Sequence, residues 1–289
     1  MNATTEHLDA LRGKRVTFIG TGVMGEAIIA ALLDAGLLEP GQITGSEPYA
    51  ERRDELADRY GVRMVASNAE AVAGADVVML TIKPQSLNTI FADLSGQLSP
   101  EQVVVSIIAG ATVERLWHGL DHQRIVRSMP NTPAQIGQGV TVWMPTPAVS
   151  DEQNLVVSAL LSAMGHAVRV DTEDAVDMAT ALSGTGPAYI FLVMEALIDA
   201  GVHMGFPRRI AEELVLQTMI GSVLFARESG KHPAELRNMV TSPGGTTAAA
   251  LYQMEKGSLR TVISRAVWAA YQRTVELGQD NPAPVPPPA

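Results

Sequence analysis

The 289-residue sequence contains no cysteine, and this absence removes several classes of site at once. Without a thiol the chain cannot form disulfide bonds, bind a metal through thiolates or use a cysteine nucleophile. The histidines also lack the close spacing of a metal-binding motif. They are His7, His118, His122, His166, His203 and His232. We therefore expect structural or surface roles for them and no metal site.

Positive charge is also scarce. Lysine and arginine total 21 against 31 acidic residues, so the formal net charge is −10, which argues against a nucleic-acid partner. Residues 1–15 lack the apolar core of a signal peptide. The most apolar later stretch, residues 189–200, contains Glu195 and Asp199, which disfavour a membrane span. These absences predict a soluble cytoplasmic protein.

A glycine-rich turn organises the amino-terminal part of the chain. The apolar run Val16–Ile19 predicts a strand, and an apolar helical pattern follows the turn. The turn and the first helical residues are Gly20, Gly22, Val23, Met24 and Gly25. In a dinucleotide site the first glycine permits a tight turn, the second admits the pyrophosphate, and the third lets helix and strand pack closely. The helix then offers free N–H groups to phosphate. An ordinary βα turn is the alternative.

The second predicted strand ends at Ser46, beside groups that could recognise an adenosine ribose. Glu47 lies about 20 residues beyond the last glycine, where a dinucleotide fold places the acid that binds the 2′-hydroxyl of NADH. Arg52 and Arg53 follow, and arginine in this region can bind the 2′-phosphate of NADPH instead. The alternative is that both arginines simply face solvent on the predicted helix Ala50–Tyr60.

Three further predicted strands end in groups that would line a ligand crevice. The apolar runs at residues 75–82 and 102–108 are typical of strands buried on both faces of a parallel sheet. Residues 125–128 predict the third. Because carboxyl ends of such strands line the crevice, the groups that follow them are candidate cofactor ligands. They are Lys83, Pro84, Ala109 and Asn131. For Lys83, a solvent-exposed surface position is the alternative.

Strands predicted at residues 139–143 and 167–170 complete an alternation of strands and helices that is typical of a doubly wound α/β sheet. From Thr172 onward the pattern is helical only. The sequence therefore predicts a dinucleotide-binding domain at residues 1–170 and a helical domain at residues 171–280. Residues 281–289 are mostly proline and alanine and are predicted to be a disordered tail.

Two segments interrupt the helical part. At residues 183–187 the sequence Ser-Gly-Thr-Gly-Pro breaks an apolar helical pattern, although glycine costs about 1 and proline about 3 kcal/mol in a helix relative to alanine. The break indicates backbone approach to a ligand or to another chain, or a simple turn between helices. At residues 241–247 the sequence TSPGGTT precedes a predicted helix and suits an anion. Alternatively, Thr246 or Thr247 simply caps that helix.

Four segments together carry a family resemblance: IKPQ (82–85), MPNTP (129–133), SGTGPAY (183–189) and TSPGGTT (241–247). The chain from Val16 to Gly278 resembles the pyrroline-5-carboxylate reductases, the last enzymes of proline synthesis. The glycine turn is shared with many families, whereas SGTGPAY and TSPGGTT are specific. The resemblance implies a Rossmann-type sheet followed by an all-helical dimerisation domain. It further implies hydride transfer from NAD(P)H to the imine carbon of 1-pyrroline-5-carboxylate, and a homodimer assembled into a larger ring such as a decamer.

The resemblance also implies roles for individual residues. Thr247 would hydrogen-bond the imine nitrogen, and Ser183 and Asn131 would line the crevice beside the nicotinamide. Since a threonine hydroxyl is a weak acid, we expect Thr247 to orient and relay a proton, with positioning as the larger contribution. The backbone N–H groups of Gly244, Gly245 and Thr246, at a helix start, would bind the substrate carboxylate. Glu47 favours NADH, whereas Ser46 and the two arginines favour NADPH, which we predict with NADH as the alternative.

Two other readings compete. A β-hydroxyacid dehydrogenase of similar layout uses a lysine in the first helix of its helical domain, and residues 183–195 contain none. A non-catalytic dinucleotide sensor would keep the glycine turn but would have no need of TSPGGTT or MPNTP. Both features favour an imine reductase.

Overall fold

The computed structural model describes residues 9–279, in which eight strands form one sheet in the order β3-β2-β1-β4-β5-β6-β7-β8. Neighbouring strands are parallel except β6 and β7, which are antiparallel. The strands are β1 (Val16–Ile19), β2 (Ile43–Ser46), β3 (Arg63–Val65), β4 (Val77–Leu80), β5 (Val103–Ser106), β6 (Ile125–Met129), β7 (Gly139–Pro145) and β8 (Gly165–Arg169). The chain reverses its direction of winding between β1 and β4, which is where such sheets bind ligands. The predicted Rossmann-type sheet is confirmed.

Helices cover both faces of this sheet. They are α1 (Val23–Asp34), α2 (Ala50–Tyr60), α3 (Asn68–Val72), α4 (Leu87–Leu94), α5 (Val113–Leu120), α6 (Asp151–Ser162) and α7 (Glu173–Ala179). Alternate side chains of β4 belong to two separate cores, with Val77 and Met79 in one and Val78 and Leu80 in the other. Because strand side chains alternate between faces, this division confirms that β4 is buried on both sides.

After α7 the chain makes a π-helical turn, Thr180–Gly184, and then forms helices only. These are α8 (Gly186–His203), α9 (Arg208–Ser229), α10 (Pro233–Met239), α11 (Thr246–Lys256) and α12 (Leu259–Gln279). Contacts divide the chain into one unit that extends to Thr185 and includes the end of α12 from Ala270, and a second unit, Gly186–Ala269. The predicted helical domain is thus present, and the predicted tail at residues 281–289 lies outside the described residues.

Cap residues read from the sequence set several helix starts. Ser150 and Gln153 form a reciprocal capping box at α6, and Thr112 and Thr172 accept backbone N–H groups at the starts of α5 and α7. The start of the last strand, in contrast, was not predicted correctly. Strand β8 begins at Gly165 rather than at Ala167, because its pairing with β7 begins with Gly139 opposite Gly165.

Three short elements were not predicted from the sequence: β3, α3 and α4. Strand β3 has three residues, of which only Val65 is buried, so it shows no apolar run. Helix α3 has only five residues, too few for a helical period to be visible. Strand β3 and helix α3 are defined by pairing and packing that the local sequence does not display.

A buried arginine ties the start of the helical segment to the sheet. The Arg127 side chain on β6 is 2% exposed and donates to Glu173 at 2.8 Å and to Asp177 at 2.5 Å, both on α7. Glu173 also accepts the N–H of Val113 at 2.7 Å. Because these bonds hold α7 against the sheet, the first unit extends to Thr185 and not only to the predicted domain boundary at residue 170. The domain division itself stays a prediction.

Replacing Arg127 by leucine should destabilise the fold by about 3 kcal/mol, because two partly buried carboxylates would lose their cation. Urea unfolding at one protein concentration measures this. The matched control is Arg124→Leu, which breaks the exposed pair with Glu101 and should cost less than about 1 kcal/mol. Equal losses in the two variants would contradict a special role for Arg127.

Helix α8 is largely apolar and only weakly buried. Gly201 is its one buried residue, and a Cβ there would lie 3.0 Å from the Cβ of Ala211 on α9. Ile190, Phe191 and Leu192 are each more than half exposed. The continuous helical stretch Glu173–His203 contains an 18-residue window of mean hydropathy 1.4, so it is long and apolar enough to cross a membrane by length and composition. A single such helix is weak support for a span, since helices in soluble proteins pass the same test.

Candidate active site

The three glycines of the turn differ in what surrounds them. Gly20 has a φ of +85°, and a Cβ there would lie 2.5 Å from Ile82. A Cβ on Gly25 would lie 2.6 Å from the Gly20 carbonyl oxygen. Around a Cβ on Gly22 there is no atom within 4 Å. The fold therefore requires the outer two glycines, whereas Gly22 borders open space of the kind that a pyrophosphate would fill.

The amino terminus of α1 is open as well. Gly22 is its N-cap and no side chain caps it, and Glu26 is the first residue whose N–H reaches the Gly22 carbonyl, at 2.9 Å. The N–H groups of Val23, Met24 and Gly25 therefore have no acceptor within the helix. The Val23 side chain beside them is 68% exposed. Free donors and a positive helix end suit phosphate, so the residues present fit a dinucleotide.

At the end of β2, the predicted ribose-binding residues Ser46 and Glu47 have different hydrogen-bond partners. The Ser46 hydroxyl is buried and bonded to Asn68, while the Ser46 carbonyl accepts the N–H of Gly20 at 3.0 Å. Ser46 thus supports the glycine turn, and its direct contact with a cofactor stays a prediction. The Glu47 carboxylate accepts from the Thr21 hydroxyl at 3.3 Å, on the glycine turn itself. Binding of the ribose by Glu47 stays a prediction.

Both arginines that follow β2 are engaged rather than free. Arg53 donates to the backbone carbonyls of Glu47 and Pro48, each at 2.8 Å. Arg52 forms ion pairs with Glu55 at 2.7 Å and with Glu26. The alternative that they merely face solvent is therefore wrong, and binding of a 2′-phosphate by either stays a prediction.

The other predicted cofactor ligands follow strands β4, β5 and β6. Lys83 is exposed and forms no ion pair within residues 9–279, and it is followed by Pro84, which begins a short 3₁₀ turn. Ala109 precedes Gly110, whose φ is +71°. A Cβ on Gly110 would lie 2.9 Å from Leu277 of α12. The turn after β5 is therefore shaped by the last helix, a contact that the local sequence does not reveal.

Asn131 connects the loop after β6 to the π-helical turn. Its amide oxygen accepts the Val140 N–H at 3.0 Å, and its amide nitrogen donates to the Ser183 carbonyl at 3.1 Å. The structure thus brings together two residues that the sequence placed in one crevice. Contact of either with ligand stays a prediction.

The SGTGP segment does not form a simple turn between helices, so that alternative is wrong. The chain remains helical from Glu173 to His203, with one π turn at Thr180–Gly184. The Ser183 hydroxyl donates to the Ala179 carbonyl at 2.9 Å, and the Thr185 hydroxyl to the Thr180 carbonyl at 2.9 Å. Single π turns within helices occur frequently at functional sites. Approach of a ligand or another chain to this turn remains the interpretation.

In the second unit, TSPGGTT forms a tight turn followed by an uncapped helix. Gly245 donates its N–H to the Ser242 carbonyl at 3.1 Å, and Gly244 has a φ of +72°, the pattern of a type II turn with proline second. The Gly245 N–H is therefore used within the turn, unlike the predicted donors at Gly244 and Thr246. Gly245 is also the N-cap of α11, without a side-chain cap. The capping alternative for Thr246 and Thr247 is wrong.

The first turn of α11 keeps groups that the predicted chemistry needs. Ala249 is the first residue to bond the Gly245 carbonyl, so the N–H groups of Thr246, Thr247 and Ala248 have no acceptor within the helix. They lie beside the two threonine hydroxyls. An anion such as a carboxylate suits this helix start, and a hydroxyl is available to a second group of the same ligand.

Two features of the site were missed from the sequence. Glu26, directly after the third glycine, accepts from Arg52, Arg59 and Tyr60, and its acidic position in a first helical turn was the available signal. The Asn131 to Ser183 link had no local signal, because the two residues are far apart in sequence. Within residues 9–279 there is no group of side chains suited to a metal ion.

The comparisons with known proteins cover nearly the whole chain. Residues 173–277 match the profile described as pyrroline-5-carboxylate reductase dimerisation. Residues 15–110 match a profile described as NADP oxidoreductase, coenzyme F420-dependent. The pyrroline-5-carboxylate reductase of Synechocystis sp. is 42% identical over 261 residues, which is 90% of this chain and 97% of that protein.

Solved structures agree with this match. A pyrroline-5-carboxylate reductase from Coxiella burnetii has a TM-score of 0.85 and 35% identity, covering 91% of this chain and 98% of that one. A pyrroline carboxylate reductase from Plasmodium falciparum, solved with NADP bound, has a TM-score of 0.85 and 30% identity, covering 92% and 98%. Because a pyrroline-5-carboxylate reductase is 42% identical over 90% of this chain, the chain belongs to the pyrroline-5-carboxylate reductase family.

Proposed function

We propose that this protein reduces 1-pyrroline-5-carboxylate to L-proline with NAD(P)H, as the last step of proline biosynthesis. The observation that carries the proposal is the match over 90% of the chain to a reductase of this name, including both the dinucleotide-binding and the dimerisation segments. The β-hydroxyacid dehydrogenase and sensor alternatives find no comparable support.

The nicotinamide supplies a hydride to the imine carbon when the cofactor is bound. The chain's own task is to hold the reactants and to deliver a proton to the imine nitrogen. Free N–H groups at the start of α1 suit the cofactor phosphates, and those at the start of α11 suit the substrate carboxylate. The Thr247 hydroxyl, which no capping role occupies, is our candidate for orienting and relaying the proton.

The assembly that we propose is a soluble, cytoplasmic homodimer that joins into a larger ring such as a decamer, without a nucleic-acid or membrane partner. Support for self-association comes from α8, whose apolar side chains are exposed in the segment that matches the dimerisation profile. The strongly acidic composition disfavours nucleic acid. Contact with a second copy would remove the exposed apolar surface from water.

The experiment that tests the function is oxidation of NADPH and NADH, in parallel, by the purified protein with pyrroline-5-carboxylate. Turnover would support the reaction, and the ratio of kcat/KM values would give the cofactor preference. If both dinucleotides bind but neither is consumed, the imine-reductase proposal fails. The remaining hypotheses would then be a reductase with a different substrate and a non-catalytic dinucleotide sensor.

Glu47→Ser should shift cofactor preference towards NADPH, because the Glu47 carboxylate lies next to the glycine turn and would repel a 2′-phosphate. We expect the NADPH to NADH ratio of kcat/KM to rise about tenfold, equivalent to about 1.4 kcal/mol. Glu101→Ser, at a surface ion pair beside β5, is the charge-matched control. An unchanged ratio for Glu47→Ser would mean that this carboxylate does not face the ribose.

A further inference from the structure

A cluster of five charged and polar side chains joins α1 to α2 beside the glycine turn. One oxygen of Glu26 accepts from Arg59 at 2.5 Å and from the Tyr60 hydroxyl at 2.9 Å, and the other accepts from Arg52. Glu55 accepts from Arg52 and from Arg59, each at 2.7 Å. We call Glu26, Arg52, Glu55, Arg59 and Tyr60 the Glu26 cluster. Within it, Arg52 and Arg59 each donate to the carboxylates of both Glu26 and Glu55.

The cluster is attached to the turn that would bind the dinucleotide. Arg52 also donates to the Thr21 carbonyl at 3.3 Å, and Thr21 immediately precedes Gly22. The Thr21 hydroxyl in turn bonds Glu47 at the end of β2. Arg52 is thus the arginine that reaches from α2 to the expected adenosine side of the site, and Glu26 is the acid that holds it against α1.

The Glu26 pair is sheltered enough to persist in solution. The Glu26 side chain is 18% exposed and that of Arg52 is 25% exposed, so water and salt screen the pair less than they would a surface pair. Burial raises the pKa of Glu26, but hydrogen bonds from Arg52 and Tyr60 outweigh it and hold the pKa below its ordinary value. Glu26 is therefore ionised at neutral pH.

NADPH differs from NADH by a phosphate on the adenosine ribose, and a guanidinium binds phosphate through paired N–H donors. Three of the five N–H donors of Arg52 are already used by Glu55, Glu26 and the Thr21 carbonyl, and its charge is shared between two carboxylates, so Arg52 has less to offer a phosphate. We infer that Glu26 is a specificity-determining residue of the dinucleotide site, which lowers the preference for NADPH by holding Arg52 against α1. The inference rests on the proposed dinucleotide-dependent function.

Glu26→Gln tests this, because glutamine keeps hydrogen-bonding capacity for Tyr60 but removes the charge that holds Arg52. Titration of dinucleotide fluorescence, without any substrate, gives the Kd of NADPH and of NADH. We expect the ratio of the NADH Kd to the NADPH Kd to rise about tenfold. The charge-matched control is Glu101→Gln, whose partner Arg124 is remote in the fold, and it should leave the ratio unchanged.

A second pair of variants tests the route through Arg52. In an Arg52→Gln background, Glu26→Gln should no longer alter the ratio, since the cation it releases is missing. An undiminished shift there would overturn the inference, as would an unchanged ratio or a shift towards NADH in the single variant. A shift towards NADH in Glu26→Gln would mean that Glu26 positions Arg52 to bind the phosphate.

The binding measurement also separates this inference from the proposed function. If both dinucleotides bind and Glu26→Gln shifts the ratio, the inference holds even when pyrroline-5-carboxylate is not turned over. If turnover occurs and the ratio does not move, the inference alone fails. If the unaltered protein binds neither dinucleotide, the inference and the proposed function both fail.

Discussion

Gly22→Val is expected to raise the Kd of NADPH and NADH by at least about 100-fold, or about 2.7 kcal/mol. A valine side chain would occupy the open space in front of the uncapped helix start, where the pyrophosphate needs close approach to backbone N–H groups. The fold should tolerate it, because Gly22 has a φ of −67° and no atom lies within 4 Å of a Cβ. Isothermal titration with each dinucleotide measures the effect.

The control for Gly22→Val is Gly41→Val. Gly41 also has no atom within 4 Å of a Cβ and no positive φ, but it lies in the 3₁₀ turn Pro40–Gln42. We expect its dinucleotide affinity to be unchanged, and the two variants to differ in unfolding free energy by no more than about 1 kcal/mol. Normal dinucleotide binding by Gly22→Val would show that the turn is merely structural.

Thr247→Val is expected to lower kcat about 100-fold while leaving the Kd of the cofactor unchanged. Positioned proton transfer typically contributes 10²-fold or more, and valine replaces the hydroxyl with a methyl group of similar volume. Helix α11 should be unaffected, because its cap is Gly245 and no side chain caps it. Steady-state kinetics, with cofactor titration in parallel, separates the two quantities.

Two companion variants sharpen this test. Thr246→Val keeps the backbone N–H at the same helix start and loses only the neighbouring hydroxyl, so it should retain most of kcat. Thr247→Ser restores a hydroxyl and should recover much of the loss. An unchanged kcat in Thr247→Val would remove Thr247 from the mechanism, and equal losses in the two valine variants would point to the helix start rather than to one hydroxyl.

Local patterns were sufficient wherever one stretch of chain carries its own signal. The glycine spacing with a strand before it and a helix after it predicted β1 and α1, and the capping box at Ser150 predicted the start of α6. Apolar runs predicted β4 and β5, because a strand buried on both faces needs apolar side chains on both. Short elements such as β3 carried too few residues to show a period.

The sequence by itself determined the fold class, the glycine turn and the segments that carry the family resemblance, because strand period, helix caps and glycine turns are properties of adjacent residues. Only the tertiary structure decided how the candidate groups are used. It pairs Arg52 with Glu26, links Asn131 to Ser183, and forms a π turn at Thr180–Gly184. The first two contacts join residues far apart in the chain, so whether such a charged or polar group is free depends on the partner that the fold brings to it.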